Sequence, residues 1–268
     1  MKYTLLIIMI ILLATGSAYS ETGTIRLATT TSTENSGLLD SLIPLFESLY
    51  KIKVNVISVG TGKALKLGRN GDVDIVLVHA REAEEKFVSE GHGVNRRSVM
   101  HNDFIIVGPS KDPAGLKKAK NIKDALGMLI KSKSTFISRG DDSGTHKKEK
   151  LLWKMSDIKP SGDAYKESGQ GMGAVLTIAD QLDAYTLCDR GTYLAMKDKM
   201  KIKILFEKRD SALNNPYGII AVNPEAHPGV NYMDAMLFIA WITSIKGQNI
   251  IKEFTVGDEL LFIPDAIK

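Results

Sequence analysis

Apolar and polar positions along the chain switch repeatedly between period two and a helical period. Residues 24–28 read as a short strand. Leu38, Leu39, Leu42, Ile43, Leu45 and Phe46 then recur at helical spacing, with Pro44 placed near the start of that helix. Residues 54–59 alternate cleanly as a strand, and Gly60-Thr61-Gly62-Lys63 breaks the alternation and opens a second helix through Leu67. Residues 74–78 form a continuous apolar run, the pattern of a buried parallel strand. Residues 83–90 form a charged amphipathic helix that stops at Gly91.

The same rhythm returns further on. Residues 104–107 form a strand closed by Gly108-Pro109, and a lysine-rich segment at 111–133 starts a second unit. A strand at 135–138 leads into a helix at 146–153, and Gly169-Gln170-Gly171-Met172-Gly173 opens another helix through Asp180. Strands follow at 184–187, 202–206 and 217–222, the last ending at Asn223-Pro224. Residues 231–244 form a strongly apolar helix around Trp241. Strands alternating with helices predict an α/β fold of parallel sheets with helices on both faces. Such folds bind ligands beyond the carboxyl ends of their strands.

The N-terminus departs from this pattern. Lys2 precedes about a dozen mostly aliphatic residues at 3–14, within the length of a signal h-region and short of the ~20 residues of a spanning helix. Ala18 and Ser20 offer small residues at −3 and −1, so residues 1–20 read as a signal peptide and Glu21 as the mature start; an uncleaved anchor is the alternative. The only cysteine, Cys188, reads as a core thiol, and one cysteine excludes both a lipoprotein anchor after the h-region and a disulfide scaffold. The formal charge of +4 is mild, and the lysines are not interleaved with aromatics in a stripe, which argues against nucleic-acid binding.

Two loops carry the candidate chemistry. Thr29-Thr30-Thr31-Ser32-Thr33 and Ser138-Arg139-Gly140-Asp141-Asp142-Ser143-Gly144-Thr145 each follow a strand and precede a helix. Hydroxyls and unsatisfied helix-start N–H groups suit a small oxyanion. Arg139 adds a planar fork for two oxygens, with Asp141 and Asp142 beside it to orient that fork. The bland reading of both loops is a capped helix, with Thr33 or Ser36 capping one, Asp142 or Ser143 the other, and Arg139 in a surface ion pair. Gly60-Thr61-Gly62-Lys63 lacks the spacing of a nucleotide loop, and a glycine turn opening a helix is its plainer use. The glycines at 169, 171 and 173 read first as close helix–sheet packing. No nucleophile elbow surrounds Ser143, the five histidines are dispersed, and no zinc spacing is present. A secreted phosphate or sulfate ester hydrolase is therefore the weaker alternative, and no cofactor is expected.

Several stretches together resemble the tungstate-binding proteins of the TupA type, the solute receptors of tungstate ABC transporters. They are residues 29–39 (TTTSTENSGLL), 59–68 (VGTGKALKLG), 77–84 (LVHAREAE), 138–146 (SRGDDSGTH), 169–174 (GQGMGA), 189–193 (DRGTY) and 215–218 (NPYG). The resemblance implies a two-lobed type II periplasmic-binding-protein fold with two chain crossovers and a cleft between the lobes. Residues 21–102 and 221–268 would form the first lobe and 103–220 the second, with crossovers near 104–107 and 217–222. The anion would be held by Thr30, Thr31, Ser32 and Thr61 from the first lobe and by Arg139, Ser143, Gly144 and Thr145 from the second. It further implies a monomer, an extracytoplasmic or periplasmic location, and a membrane permease as partner. The arginine loop also resembles that of phosphate receptors, which supply an aspartate after the third strand to accept a phosphate proton. Here that place reads His79-Ala80-Arg81-Glu82, with Glu82 the nearest carboxylate in sequence. A donors-only site suits tungstate or molybdate, and also sulfate, so charge alone leaves the ion open.

Overall fold

Three parallel strands set the frame of the first half: β1 (Thr24–Thr30), β2 (Lys53–Val59) and β3 (Ile75–Val78). The computed structural model describes residues 23–207 and 210–267; the expected signal peptide lies outside them. Thr30 stands opposite Val59, and Thr29 opposite Leu77, so all three strands end along one edge. Both faces are covered, as the unbroken apolar run of β3 requires. Ile75 and Leu77 join Ile25 and Leu27 in one core, while Val76 and Val78 join Ala28, Leu65 and Phe87 in another.

Each strand feeds a helix from that edge. α1 (Thr31–Asn35) and α2 (Leu38–Tyr50) follow β1, α3 (Thr61–Asn70) follows β2, and α4 (Arg81–Ser89) follows β3. The threonine loop is thus largely a short helix. Pro44 sits in the interior of α2 rather than near its start. There it removes the hydrogen bond to the carbonyl four residues back, at Asp40.

The chain then leaves on one long strand, β4 (Gly93–Gly108). Its last part carries the second half. β5 (Phe136–Ser138) and β6 (Tyr165–Glu167) pair in parallel, and Tyr185, just before β7 (Thr186–Asp189), bridges to Phe136 in the same sense. β7 and β8 (Lys203–Phe206) both pair antiparallel with β4. The helices here are α5 (Ile122–Ser132), α6 (Gly144–Met155), α7 (Met172–Gln181) and α8 (Arg190–Met196). α5 and α6 pack on a core of Ile106, Leu116, Leu126, Trp153, Tyr185 and Phe206, while α7 and α8 bury Val175, Leu176, Tyr193 and Leu194 in the core shared with Ile25 and Leu27.

β9 (Asn214–Val222) brings the chain back, pairing with β4 from Asp103↔Asn214 to Gly93↔Val222 and with β3 on its other side. α9 (Tyr232–Ile242), α10 (Ile245–Glu253), a small hairpin of β10 (Thr255–Val256) with β11 (Glu259–Leu260), and β12 (Ile263–Pro264) complete it. One expectation changes: the sheets are mixed rather than all parallel, because β4 and β9 run against their neighbours. Residues 214–220 are hydrogen-bonded into the first sheet, and on β4 the change of partner falls between Asp103, opposite Asn214, and Phe104, opposite Asp189.

Candidate functional site

Six helices begin at the rim of one cleft of about 520 Å³. Thr30, Gly60 and Ala80 are the N-cap residues of α1, α3 and α4, each following a parallel strand of the first half. Ser143, Gly171 and Asp189 are those of α6, α7 and α8 in the second. All six line the cleft. Helix starts carry partial positive charge and spare N–H groups, so the cleft has a positive field before any side chain is counted.

All eight sequence-predicted residues line the same cleft: Thr30, Thr31, Ser32 and Thr61 on one wall, Arg139, Ser143, Gly144 and Thr145 on the other. The capped-helix reading holds for Ser143, whereas the other helix is capped by Thr30 rather than by Thr33 or Ser36. Thr30 Oγ1 accepts from Thr33 N at 3.2 Å, and Ser143 Oγ accepts from His146 N at 3.3 Å. The Ser143 N–H is also used, donating to Asp141 Oδ1 at 3.2 Å. Among the described residues, no acceptor of the protein meets the N–H groups of Gly144 and Thr145.

Arg139 is oriented as its neighbours suggested, by Asp141 alone. Its Nε donates to Asp141 Oδ2 at 3.0 Å and its Nη2 to the same oxygen. Burial works against the Asp141 charge, but the bonds from Arg139 and Ser143 outweigh it and hold the carboxyl below its ordinary value. Asp142 pairs instead with Lys147 and Lys150. The loop is fixed from below. The Arg139 carbonyl accepts from Gly169 N at 2.8 Å, and Ser138 Oγ donates to the buried Glu149 at 2.7 Å. Gly140 sits at φ +63 with Glu167 Cβ 2.8 Å from where a side chain would begin, so both conformation and space require glycine.

The glycines at 169 and 171 do not serve close packing. A Cβ at either meets nothing within 4 Å, and Gly173 would meet only Met196 at 3.4 Å. Gly171 and Gly173 face the cleft instead, as do Gly60 and Gly62. Cys188 is buried in the core as expected, and burial pushes its thiol well up.

A PBP superfamily domain matches residues 17–246. The tungstate-binding protein TupA of Peptoclostridium acidaminophilum is 50% identical over 252 residues, which cover 92% of this chain and 87% of that protein. The chain belongs to the TupA family, within the PBP superfamily. Two solved structures agree. The tungstate-binding protein TupA of Desulfovibrio alaskensis superposes with a TM-score of 0.86 at 43% identity, covering 91% of this chain and all of that one. The tungstate ABC transporter structure from Geobacter sulfurreducens gives 0.78 at 54% identity, covering 86% and 98%. The fold expected from the resemblance is the fold of the TupA family.

Sequence reasoning missed three cleft residues in this TupA family member. His79 follows β3, at the same edge where Thr30 ends β1. Its Nε2 lies 3.2 Å from Thr30 Oγ1 and 3.3 Å from Ser32 Oγ, and its Nδ1 lies 3.0 Å from Asn215 Oδ1. Burial pushes this imidazole below its ordinary value, against the Asn215 bond and the Asp189 charge. Asp189 and Thr192 also line the cleft, but both Asp189 oxygens accept from Thr192, one of them from its N–H at 2.8 Å. Glu82, the acceptor considered from sequence, is exposed and outside the cleft lining. The cleft is therefore rich in donors, and His79 adds an imidazole to its lining. The position after a third parallel strand was the available signal for it.

Proposed function

We propose that this chain is an extracytoplasmic receptor that captures tungstate between two lobes and delivers it to the permease of an ABC transporter. The observation that carries the reading is the convergence of six helix starts and Arg139 on one cleft. The family relatives named for tungstate binding support the choice of ion. Thr30, Thr31, Ser32 and Thr61 hold the anion from the first lobe, and Arg139, Ser143, Gly144 and Thr145 hold it from the second. Charge-assisted hydrogen bonds of this kind are worth about 1.5–3 kcal/mol each, which lets a few of them outweigh the loss of hydration.

Pairing supports a boundary moved from the one expected: the first lobe takes residues 23–103 and 214–267, the second 104–213. Closure of these lobes around the anion is the signal read by the permease. One chain supplies both walls of the cleft, which supports a monomer as the binding unit. The hydrophobic run at 3–14 supports export.

Calorimetric titration of the purified protein with tungstate, molybdate, sulfate and phosphate tests this. Tight one-to-one binding of tungstate with phosphate silent is the expected result. Tight phosphate binding with tungstate weak overturns the choice of ion, and silence from all four overturns the receptor reading.

A further inference from the structure

His79 is joined to both strands that connect the two halves of the fold. Asn215, on β9, faces the ring with its Oδ1 and donates its Nδ2 to Asn102 Oδ1, on β4, at 2.8 Å. Asn102 faces the Tyr217 hydroxyl in turn. Asn215 and Asn102 are buried, and in this orientation of the amide chain both have partners. That orientation presents an acceptor to Nδ1 and fixes the imidazole proton there. Nε2 is then the nitrogen that titrates, and it points at the Thr30 and Ser32 hydroxyls.

The two protonation states do different things to the cleft. With Nε2 bare, the Thr30 or Ser32 hydroxyl donates into the ring and is lost to an anion. With Nε2 protonated, the ring donates to a hydroxyl oxygen and no longer draws either O–H away from the ligand. The imidazolium also adds one positive charge. Resting on the oxyanion reading above, we propose that His79 takes up one proton from solvent as the anion binds, and that its imidazolium is part of the binding set.

The surrounding charges are consistent with this. Asp189, at the start of α8, favours the cation. Arg139 and Lys147 on the opposite wall oppose it, and Asp142 sits with them. On α4, Arg81 is paired with Glu85, and Glu84 is occupied by Ala80 N and Arg96. Tyr217, 4.7 Å from the ring, has its hydroxyl held neutral by burial. Burial holds His79 below its ordinary value in the free protein, and a dianion against Nε2 raises its affinity for a proton. Between those two values each anion bound takes up a proton, so affinity rises as pH falls, by at most tenfold per pH unit.

Calorimetry near pH 6.5, in buffers of contrasting ionisation enthalpy, reads the proton count directly. Tungstate is the probe. The wild-type protein is expected to take up between zero and one proton per tungstate. The His79→Gln variant is expected to bind with no proton uptake and a flat pH profile between about pH 6 and pH 8. Buffer-independent heats for the wild type, or uptake that persists in the variant, overturn the proposal while leaving the receptor reading intact. Absence of tungstate binding by the wild type overturns the receptor reading itself. If the variant does not fold, the His79 ring signal in wild-type nuclear magnetic resonance spectra decides. Its titration midpoint is expected to rise when tungstate is added, and an unmoved midpoint overturns the proposal.

Discussion

The Arg190 guanidinium grips Asp103 with two parallel hydrogen bonds, Nε to Oδ1 at 2.6 Å and Nη2 to Oδ2 at 2.7 Å. Asp103 is the β4 residue at which the chain changes sheets. Arg190 also donates to Glu207, at the end of β8 where the chain turns back toward β9. One buried arginine therefore ties together both connections between the halves. Lys148 adds a second tie, donating to the Asn214 carbonyl at 3.0 Å.

Removal of that arginine leaves the Asp103 carboxylate with its pairing gone and little access to water. Arg190→Ala is expected to cost about 3–5 kcal/mol in unfolding free energy, measured by urea denaturation. A cost below about 1 kcal/mol contradicts the assigned role.

Gly218 lies beneath another buried pair. A Cβ there stands 2.1 Å from Glu84 Oε2 and 2.7 Å from Arg96 Nη2. Glu84 in turn accepts from Ala80 N at 2.8 Å and so fixes the segment carrying His79. Gly218→Ala is expected to destabilise by at least about 2 kcal/mol, seen as a lowered Tm in a circular dichroism melt.

Glu149 gives a signed pH dependence. Burial raises its carboxyl above the ordinary value, and the bonds from Ser138, Tyr165 and Trp153 only partly offset that. The folded state thus holds a proton at pH values where the unfolded chain has released it. This contribution to stability is complete below the ordinary glutamate value and is lost as pH rises through the raised one. Relative to Glu149→Gln, wild-type stability should fall across that window by no more than about 1.4 kcal/mol per pH unit. A difference that grows in the opposite direction contradicts the assignment.

Arg139 lines the cleft and is proposed to hold the anion with its fork. Arg139→Ala is expected to lose about 3 kcal/mol of tungstate affinity, about 150-fold, with Arg139→Lys intermediate because a single ammonium replaces the fork. Retained tight binding by the alanine variant contradicts its role.

Local pattern carried the first half of the fold well. The alternation at 54–59 and the apolar run ending at Val78 mark β2 and β3, whose ends hold the cleft. Other elements hid behind composition. Lysines at 120, 123, 131 and 133 obscured α5, although Ile122, Ala125, Leu126 and Leu129 keep helical spacing and are buried. The polar first part of β4 showed no strand signal because it earns its place by pairing with β9. The hydroxyl and arginine loops were legible because each is a local strand-to-helix turn. His79 was not, because its partner Asn215 lies 136 residues away and meets it only through the register of β3 and β9.

Crystals grown with tungstate and measured for tungsten anomalous scattering give the most direct test of the central claim. The account predicts one strong tungsten peak in the cleft, within hydrogen-bonding reach, through its oxygens, of Arg139, Ser143 and Thr30. A tungsten peak confined to the lysine-rich surface of α5, or an empty cleft in a crystal saturated with tungstate, would contradict it.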